Sequence, residues 1–314
     1  QALSQARVRC RPVTTRLLTP RVDQAVLQLQ NQLAEDLVAR ATVRVDGGPS
    51  TRVDVPVGKA AVASTTIALP AGLATRPAMV QVEVDCGDGQ EKAVSTHAAS
   101  FELCRRLAKA IAIDGDVTEW RGRPGTVLRE RGQILPPDPW VNWTGPDDLS
   151  ATLWTAWDAD AFYVAATVTD DMAFNRNPAA RIWNGDGFQL AFDPLADAGG
   201  FASKPAGYDR DDVEIGLALT DQGVVAAQWA GPGQVWAGGR YAVVRDASAK
   251  TTCYEARIPW TALGITPRAG TAFGFSFVLF DDDTGTGATY WWPWTPGITG
   301  GKTPAQFRKL ALGE

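Results

Sequence analysis

Histidine is nearly absent from this sequence: of 314 residues only His97 is one, and it lies in the first third of the chain. A solvated loop position is the expectation for it. A Ser-His-Asp triad, a Cys-His pair and a multi-histidine zinc site each need imidazole within bonding reach. Residues 107–314 contain none. Cysteine is scarce as well, at Cys10, Cys86, Cys104 and Cys253 with no Cys-x-x-Cys spacing, which speaks against a zinc ribbon or a thioredoxin-type redox centre. Cys10–Cys86, Cys86–Cys104 and Cys104–Cys253 are all open as disulfides, as are free thiols; a disulfide would imply an oxidising compartment. An excess of basic residues is missing too. A net charge of −5 and a pI near 5.1 argue against a partner bound through its phosphate backbone, so no nucleic acid is expected. No apolar run reaches the roughly 18 residues of a membrane span. No signal peptide opens the chain, in keeping with a mature or excised segment.

Aromatic residues are the next absence, and it is local. Phe101 is the one aromatic side chain in residues 1–106, while all 12 tryptophans lie at or beyond Trp120. Charge divides at the same place: the first 106 residues carry 13 Lys+Arg against 10 Asp+Glu, leaving 17 and 25 for the remainder. Two domains of unlike composition, 1–106 and 107–314, follow. With 45% hydrophobic and 21% charged residues, both have material for a packed core.

What is present is mostly period-two alternation. Val- and Thr-rich runs at 25–29, 37–45, 51–57, 60–69, 78–85 and 99–104 are separated by turn residues such as Asp46-Gly47-Gly48 and Pro70-Ala71-Gly72, the pattern of an antiparallel sandwich. Residues 5–105 resemble the Ig-like or fibronectin-like spacers found beside modules of secreted polysaccharide-degrading enzymes, without the strand-C tryptophan or tyrosine corner of true immunoglobulin domains. Beyond residue 107, two long alternating runs meet at Asp158-Ala159-Asp160, which reads as a hairpin turn. Further strands are expected at 187–193, 213–220, 224–229, 241–245, 253–259, 273–280 and 307–312, with a helical turn near 260–263. The fold class is therefore all-β, as two consecutive β-sandwich domains, a smaller Ig-like one and a larger one.

The larger domain carries six pieces in order: Ile113-Asp114-Gly115-Asp116 with Trp120; Phe162-Tyr163-Val164 ending in Thr169-Asp170-Asp171; Trp183-Asn184-Gly185-Asp186 running into Phe188-Gln189-Leu190; Tyr254-Glu255-Ala256-Arg257 with Trp260; Phe273-Gly274-Phe275 leading to Asp281-Asp282-Asp283; and a closing Pro304, Phe307 and Leu310. Together, over about 108–314, they resemble a family 9 carbohydrate-binding module with a DOMON-like sandwich. The resemblance implies two tryptophans that sandwich a sugar unit, carboxylates and amides that bind its hydroxyls, and structural calcium. By position it assigns Trp183 to the first ring, Asp170 to a hydroxyl-gripping carboxylate, and Asn184 and Gln189 to the surrounding amides. Gln189 replaces a glutamate usual in the family. The resemblance places the second ring shortly before Pro304, where this chain has Gly300-Gly301-Lys302-Thr303; Trp291, Trp292 and Trp294 are the alternatives for it, in a site that is then displaced or altered. Alternation along the strand puts Trp292 and Trp294 on one face, taken as the site face, with Trp291 packed inward. Trp154, Trp260 and Phe275 read as core, Trp120 and Trp157 as sheet-edge packing. Trp140, Trp143, Trp229 and Trp236 are open between burial and stacking.

Two acidic groupings, Asp209 with Asp211 and Asp212, and Asp281-Asp282-Asp283, offer the hard oxygen ligands that calcium takes, without the EF-hand spacing; the first is taken as the metal site. The expected function is non-catalytic binding of a polysaccharide or oligosaccharide, as an accessory segment covalently linked to a catalytic domain and placed outside the cell, at its surface or in the periplasm. A haem-binding electron-transfer domain of the same sandwich type would need an axial histidine, which residues 107–314 lack, so no haem is expected. A glycosidase would need a carboxylate pair, and a structural or protein-binding sandwich would need no sugar site at all.

Overall fold

The computed structural model describes residues 12–87, 91–134 and 142–314. Cys10 and Trp140 lie outside them. The chain forms two compact units, the residues up to Glu102 with Gly199–Ser203, and Leu103–Ala198 with Lys204–Glu314. A short excursion of the later chain thus groups with the first unit, which a single linear boundary does not express.

The first unit is an aliphatic sandwich. One sheet has the order β1-β2-β5, from β1 (Val13–Leu18), β2 (Gln24–Asn31) and β5 (Val62–Ala68); the other has the order β4-β3-β6-β7, from β3 (Leu37–Val45), β4 (Ser50–Val57), β6 (Ala78–Asp85) and β7 (Ala93–Ala99). Alternation does the work the sequence implied: Ala25, Leu27 and Leu29 of β2 and Val80, Val82 and Val84 of β6 are all buried in one core. His97 departs from expectation. It sits on β7 and not in a loop, with Nε2 2.9 Å from Ser95 Oγ, and burial, helped by Arg16, pushes its pKa below the ordinary imidazole value.

The second unit holds β8 (Phe101–Arg106) from Leu103 onward, β9 (Thr126–Leu128), β10 (Leu149–Trp157), β11 (Ala161–Asp170), β12 (Gly187–Asp193), β13 (Val213–Thr220), β14 (Gly223–Ala230), β15 (Arg240–Asp246), β16 (Thr251–Pro259), β17 (Ala272–Asp281), β18 (Tyr290–Pro293) and β19 (Arg308–Leu312). They follow one hydrogen-bonded path, β14-β13-β12-β17-β19-β8-β10-β11-β16-β15, with β18 on β17 and β9 on β10. The β10–β11 hairpin pairs Trp157 with Phe162 across the Asp158 turn. Inward residues of β12, β13 and β17 meet those of β10, β11 and β16 in a shared core. Aromatic rings fill it: Phe162 has Phe275 at 5.5 Å, Phe192 at 5.6 Å, Phe273 at 5.9 Å and Trp260 at 6.0 Å. Trp260 opens the expected helical turn, Trp260–Leu263.

Cys86, Cys104 and Cys253 are free thiols, so neither the Cys86–Cys104 nor the Cys104–Cys253 pairing forms. Burial pushes the Cys104 thiol up to about 12, leaving it protonated and inert.

Candidate functional site

Side chains of β12, β13 and β17 alternate between the core and the opposite face of their sheet. Phe188, Leu190, Phe277 and Leu279 point inward, whereas Gln189, Glu214, Val278 and Phe280 line a cleft of about 420 Å³ on the outer face. That volume lies within the range of small-molecule sites, about 300–1,000 Å³. Trp183, Trp229 and Trp291 complete its aromatic lining, and Thr299, Gly300 and Lys302 come from the segment before Pro304. Trp183 and Trp291 are 44% and 45% exposed, unusual for rings of that size in a folded domain.

The structure reverses one expectation about the second ring. Trp292 and Trp294 do share a face, but it is the core face. Trp292 is fully buried, edge-on to Trp143 at 5.4 Å, and Trp294 stacks on Phe277 at 5.3 Å. The reason is register: β18 pairs Trp292 with inward Leu279 and Trp291 with outward Phe280. Trp291 is therefore the cleft ring. Trp229 arrives by another device. The β13–β14 ladder pairs Glu214 with Ala230 but Ile215 with Gln228, so Trp229 is the unpaired residue of a bulge, a feature that re-aims side chains. Its ring lies against Gly216, and its Nε1 donates to the Ala180 carbonyl at 3.1 Å.

Beneath the rings lies a polar network. Glu214 Oε1 accepts from Gln189 Nε2, from Lys302 Nζ and, at 3.0 Å, from the Tyr208 hydroxyl; Lys302 Nζ also donates to the Ile298 carbonyl at 2.8 Å. Lys302 adopts a left-handed φ of 53°, uncommon for a lysine and found where function or packing over-determines the backbone. Glu214 and Lys302 are not among the residues the sequence singles out, and Trp229 is one it leaves open between burial and stacking. Glu214 is legible in principle as a lone charge in the apolar run 213–220, whereas nothing local marks Lys302.

Asp170 does not face the cleft. It is buried, with Oδ1 accepting from Met172 N at 2.8 Å and Oδ2 3.4 Å from Arg245 Nη1. The Asn184 carbonyl accepts from Asn177 Nδ2 at 2.8 Å, and its side chain packs at Gly287, outside the cleft lining. Asp170 belongs to a second feature: Asp170, Asp186 and Asp281 present oxygens within 4.8 Å of one another, and Asp281 does the same with Asp148 and Asp283. Burial and mutual repulsion raise their pKa values, Asp170 to about 6 despite Arg245, Asp186 to about 8 and Asp281 to about 9. Asp281 is wholly buried, and neither of its carboxylate oxygens has a hydrogen-bond partner. An all-oxygen donor set with unsatisfied buried acceptors fits a hard divalent cation of calcium's kind.

The aspartates expected to bind metal are arranged differently. Asp211 and Asp212 meet Asp193, not Asp209. Asp209 instead accepts from Lys204 N at 3.2 Å, while its own N–H donates to Asp212 at 2.6 Å. Asp193 already has Lys309 Nζ at 3.3 Å and the Asp197 N–H at 3.2 Å. This trio is thus largely paired from within the protein.

Comparison with known proteins follows the same lines. No curated protein sequence matches the chain. Among solved structures, 68% of the chain superposes on 94% of a family 9 carbohydrate-binding module from Caldicellulosiruptor kristjanssonii in complex with cellotriose, with a TM-score of 0.50 and 18% identity. A module of that family from the same organism in complex with glucose is covered to 97% by 68% of this chain, with a TM-score of 0.51 and 18% identity. At such identity the likeness is one of fold. Residues 137–312, more than half of the chain, match the carbohydrate family 9 binding domain-like family, and the chain belongs to that family.

Proposed function

We propose that the cleft binds a sugar of a polysaccharide or oligosaccharide without cleaving it. The observation that carries this reading is the pairing of two half-exposed indoles, Trp183 and Trp291, with the Gln189–Glu214–Lys302 network in one concavity. Sugars offer apolar C–H faces that stack on flat rings and hydroxyls that need fixed donors and acceptors. Glu214 and Gln189 supply acceptors and an amide donor, and Lys302 a charged donor. Among the described residues lining the cleft Glu214 is the one carboxylate, whereas glycoside hydrolysis uses two flanking the scissile bond. Family membership and the cellotriose and glucose complexes of the Caldicellulosiruptor kristjanssonii modules favour β-glucan-type oligosaccharides as first probes.

A site that holds without cutting serves best when tethered, since linkage raises the effective concentration of a neighbouring catalytic domain at its substrate. The chain is accordingly read as an accessory segment of a larger glycan-degrading protein acting outside the cell, at its surface or in the periplasm. Calcium is proposed at Asp148, Asp170, Asp186, Asp281 and Asp283. When bound, it supplies positive charge among these crowded carboxylates beyond what Arg245 gives Asp170.

Affinity electrophoresis through a panel of soluble polysaccharides, with calorimetry on cellotriose and glucose, tests the sugar site. Retardation by at least one polysaccharide is expected, weakened about tenfold or more by Trp183→Ala, as for a buried aromatic anchor. Retardation by none, or an unchanged Trp183→Ala, would sink the assignment.

A further inference from the structure

Two of the three rings of the cleft are positioned by two different loops, Trp183 within one and Trp291 on β18 directly after the other, and both loops begin or end in the carboxylate cluster. Trp183 lies in the segment from Asp170 to Asp186. Within it, Phe174 N donates to the Asp186 carboxylate, Asp186 N donates back to the Phe174 carbonyl at 2.9 Å, and Met172 N caps Asp170. Asn175, buried, spans the loop by donating to the Ile182 and Asp186 carbonyls, both at 2.8 Å. Trp291 follows the segment from Asp281 to Tyr290. There Asp282 accepts from Gly285 N at 2.8 Å and Gly287 N at 3.1 Å, and Thr289 N donates to the Asp281 carbonyl at 2.7 Å. The loops touch each other at glycines: a Cβ on Gly285 would lie 3.4 Å from the Phe174 ring, and one on Gly287 3.0 Å from Asn184 Oδ1. Asp186 Oδ1 accepts from Asp282 N at 3.1 Å, which ties one loop end to the other.

The cluster at this junction is incomplete as protein alone. Asp281 is fully buried with both carboxylate oxygens unpartnered, and the buried hydroxyl of Tyr290, the residue before Trp291 on β18, is unpartnered too. Ionised together, Asp170, Asp186 and Asp281, whose oxygens come within 4.8 Å, would repel one another, and these residues anchor both loops.

We propose that a divalent cation held among Asp148, Asp170, Asp186, Asp281 and Asp283 couples the two loops, setting Trp183 against Trp291, so that sugar binding in the cleft depends on the cation. The functional half of this inference rests on the cleft being the sugar site. Coupling of this kind is reciprocal, so the sugar raises cation affinity by the same factor as the cation raises sugar affinity.

The test uses the full chain with Ca²⁺ as the probe. Hydrogen exchange is followed by mass spectrometry over 171–186 and 282–291 in Ca²⁺ and after chelation by EGTA, alongside calorimetry with cellotriose in both conditions. Ca²⁺ is expected to slow exchange in both segments and to raise cellotriose affinity about tenfold, within the usual span of allosteric couplings. Asp281→Asn, which keeps the side chain's shape, is expected to behave in Ca²⁺ as the wild type does in EGTA, while Trp183→Ala keeps the Ca²⁺-dependent protection. Exchange that does not respond to Ca²⁺ in the wild type overturns the inference. Protection of both loops with an unchanged cellotriose affinity overturns the coupling. If Ca²⁺ protects both loops but no glycan binds in either condition, the sugar reading fails and the cation's ordering of the loops stands.

Discussion

A single hydrogen atom decides where the third tryptophan of the cleft can lie. A methyl group on Gly216 would stand 2.5 Å from Trp229 Cη2 and 2.7 Å from Cζ3, far inside van der Waals contact. The backbone at Gly216 is ordinary extended strand, so alanine suits the sheet and offends only the ring. Gly216→Ala is therefore expected to leave the far-UV circular dichroism unchanged while displacing Trp229 and lowering glycan affinity about threefold to tenfold, the scale of one lost aromatic contact. Calorimetry with cellotriose reads the affinity, and a shift in tryptophan emission reads the displacement. An affinity equal to that of the wild type would show that Trp229 is wall and not ligand surface. Gln189 illustrates the same scale: its amide donates to Glu214, whereas a glutamate there would set two carboxylates against each other.

Among the elements, β16 carries a lock unrelated to the cleft. Glu255, wholly buried on that strand, accepts from Gly115 N at 2.8 Å, Asp114 N at 3.1 Å and Trp120 Nε1 at 2.8 Å. The Asp114-Gly115 turn suits this role, because Gly115 has a φ of 87° and its α-carbon approaches Val244 too closely for any side chain. Three donors converge on one carboxylate and pin the segment ahead of the 3₁₀ turn Val117–Trp120 onto the sheet. Glu255→Ala strands those donors and is expected to cost about 3 kcal/mol, read as a lower urea midpoint at unchanged slope. A loss below about 0.5 kcal/mol would mean that water replaces the carboxylate without penalty.

For the whole molecule, every tryptophan lies at or beyond Trp120, within the second unit, so indole fluorescence reports on that unit alone. A cation that binds the native carboxylate cluster and not the unfolded chain stabilises by about 2.7 kcal/mol at a hundredfold excess over its Kd. For a body of some 200 residues that is about 5–10 °C in Tm. EGTA is accordingly expected to lower the fluorescence-detected Tm by that amount, and excess Ca²⁺ to restore it. A Tm indifferent to EGTA and Ca²⁺ would remove calcium from this cluster. Several of the six short motifs of the larger domain meet at two carboxylate sites. Thr169-Asp170-Asp171, Asn184-Gly185-Asp186 and Asp281-Asp282-Asp283 converge on the cluster, and Asp114-Gly115 with Trp120 converges on Glu255. Most of what carries the family resemblance therefore holds the fold, and only Trp183 and Gln189 of those pieces line the cleft.

The sequence by itself determined the strands, since alternation with a period of two is a local property: β12 (Gly187–Asp193), β13 (Val213–Thr220) and the β10–β11 hairpin are all legible in it. It also determined the family, the absence of imidazole from residues 107–314 and the candidacy of Trp183. Alternation says that Trp291 and Trp292 face opposite ways but not which way is out. That choice depends on register with β17, where Trp292 meets Leu279 and Trp291 meets Phe280. The bulge that turns Trp229 into the cleft, the reach of Lys302 to Glu214, and the meeting of Asp148, Asp170, Asp186, Asp281 and Asp283 from distant parts of the chain are likewise non-local. Each depends on which strands become neighbours, a matter of long-range pairing and side-chain packing that no short window of sequence contains.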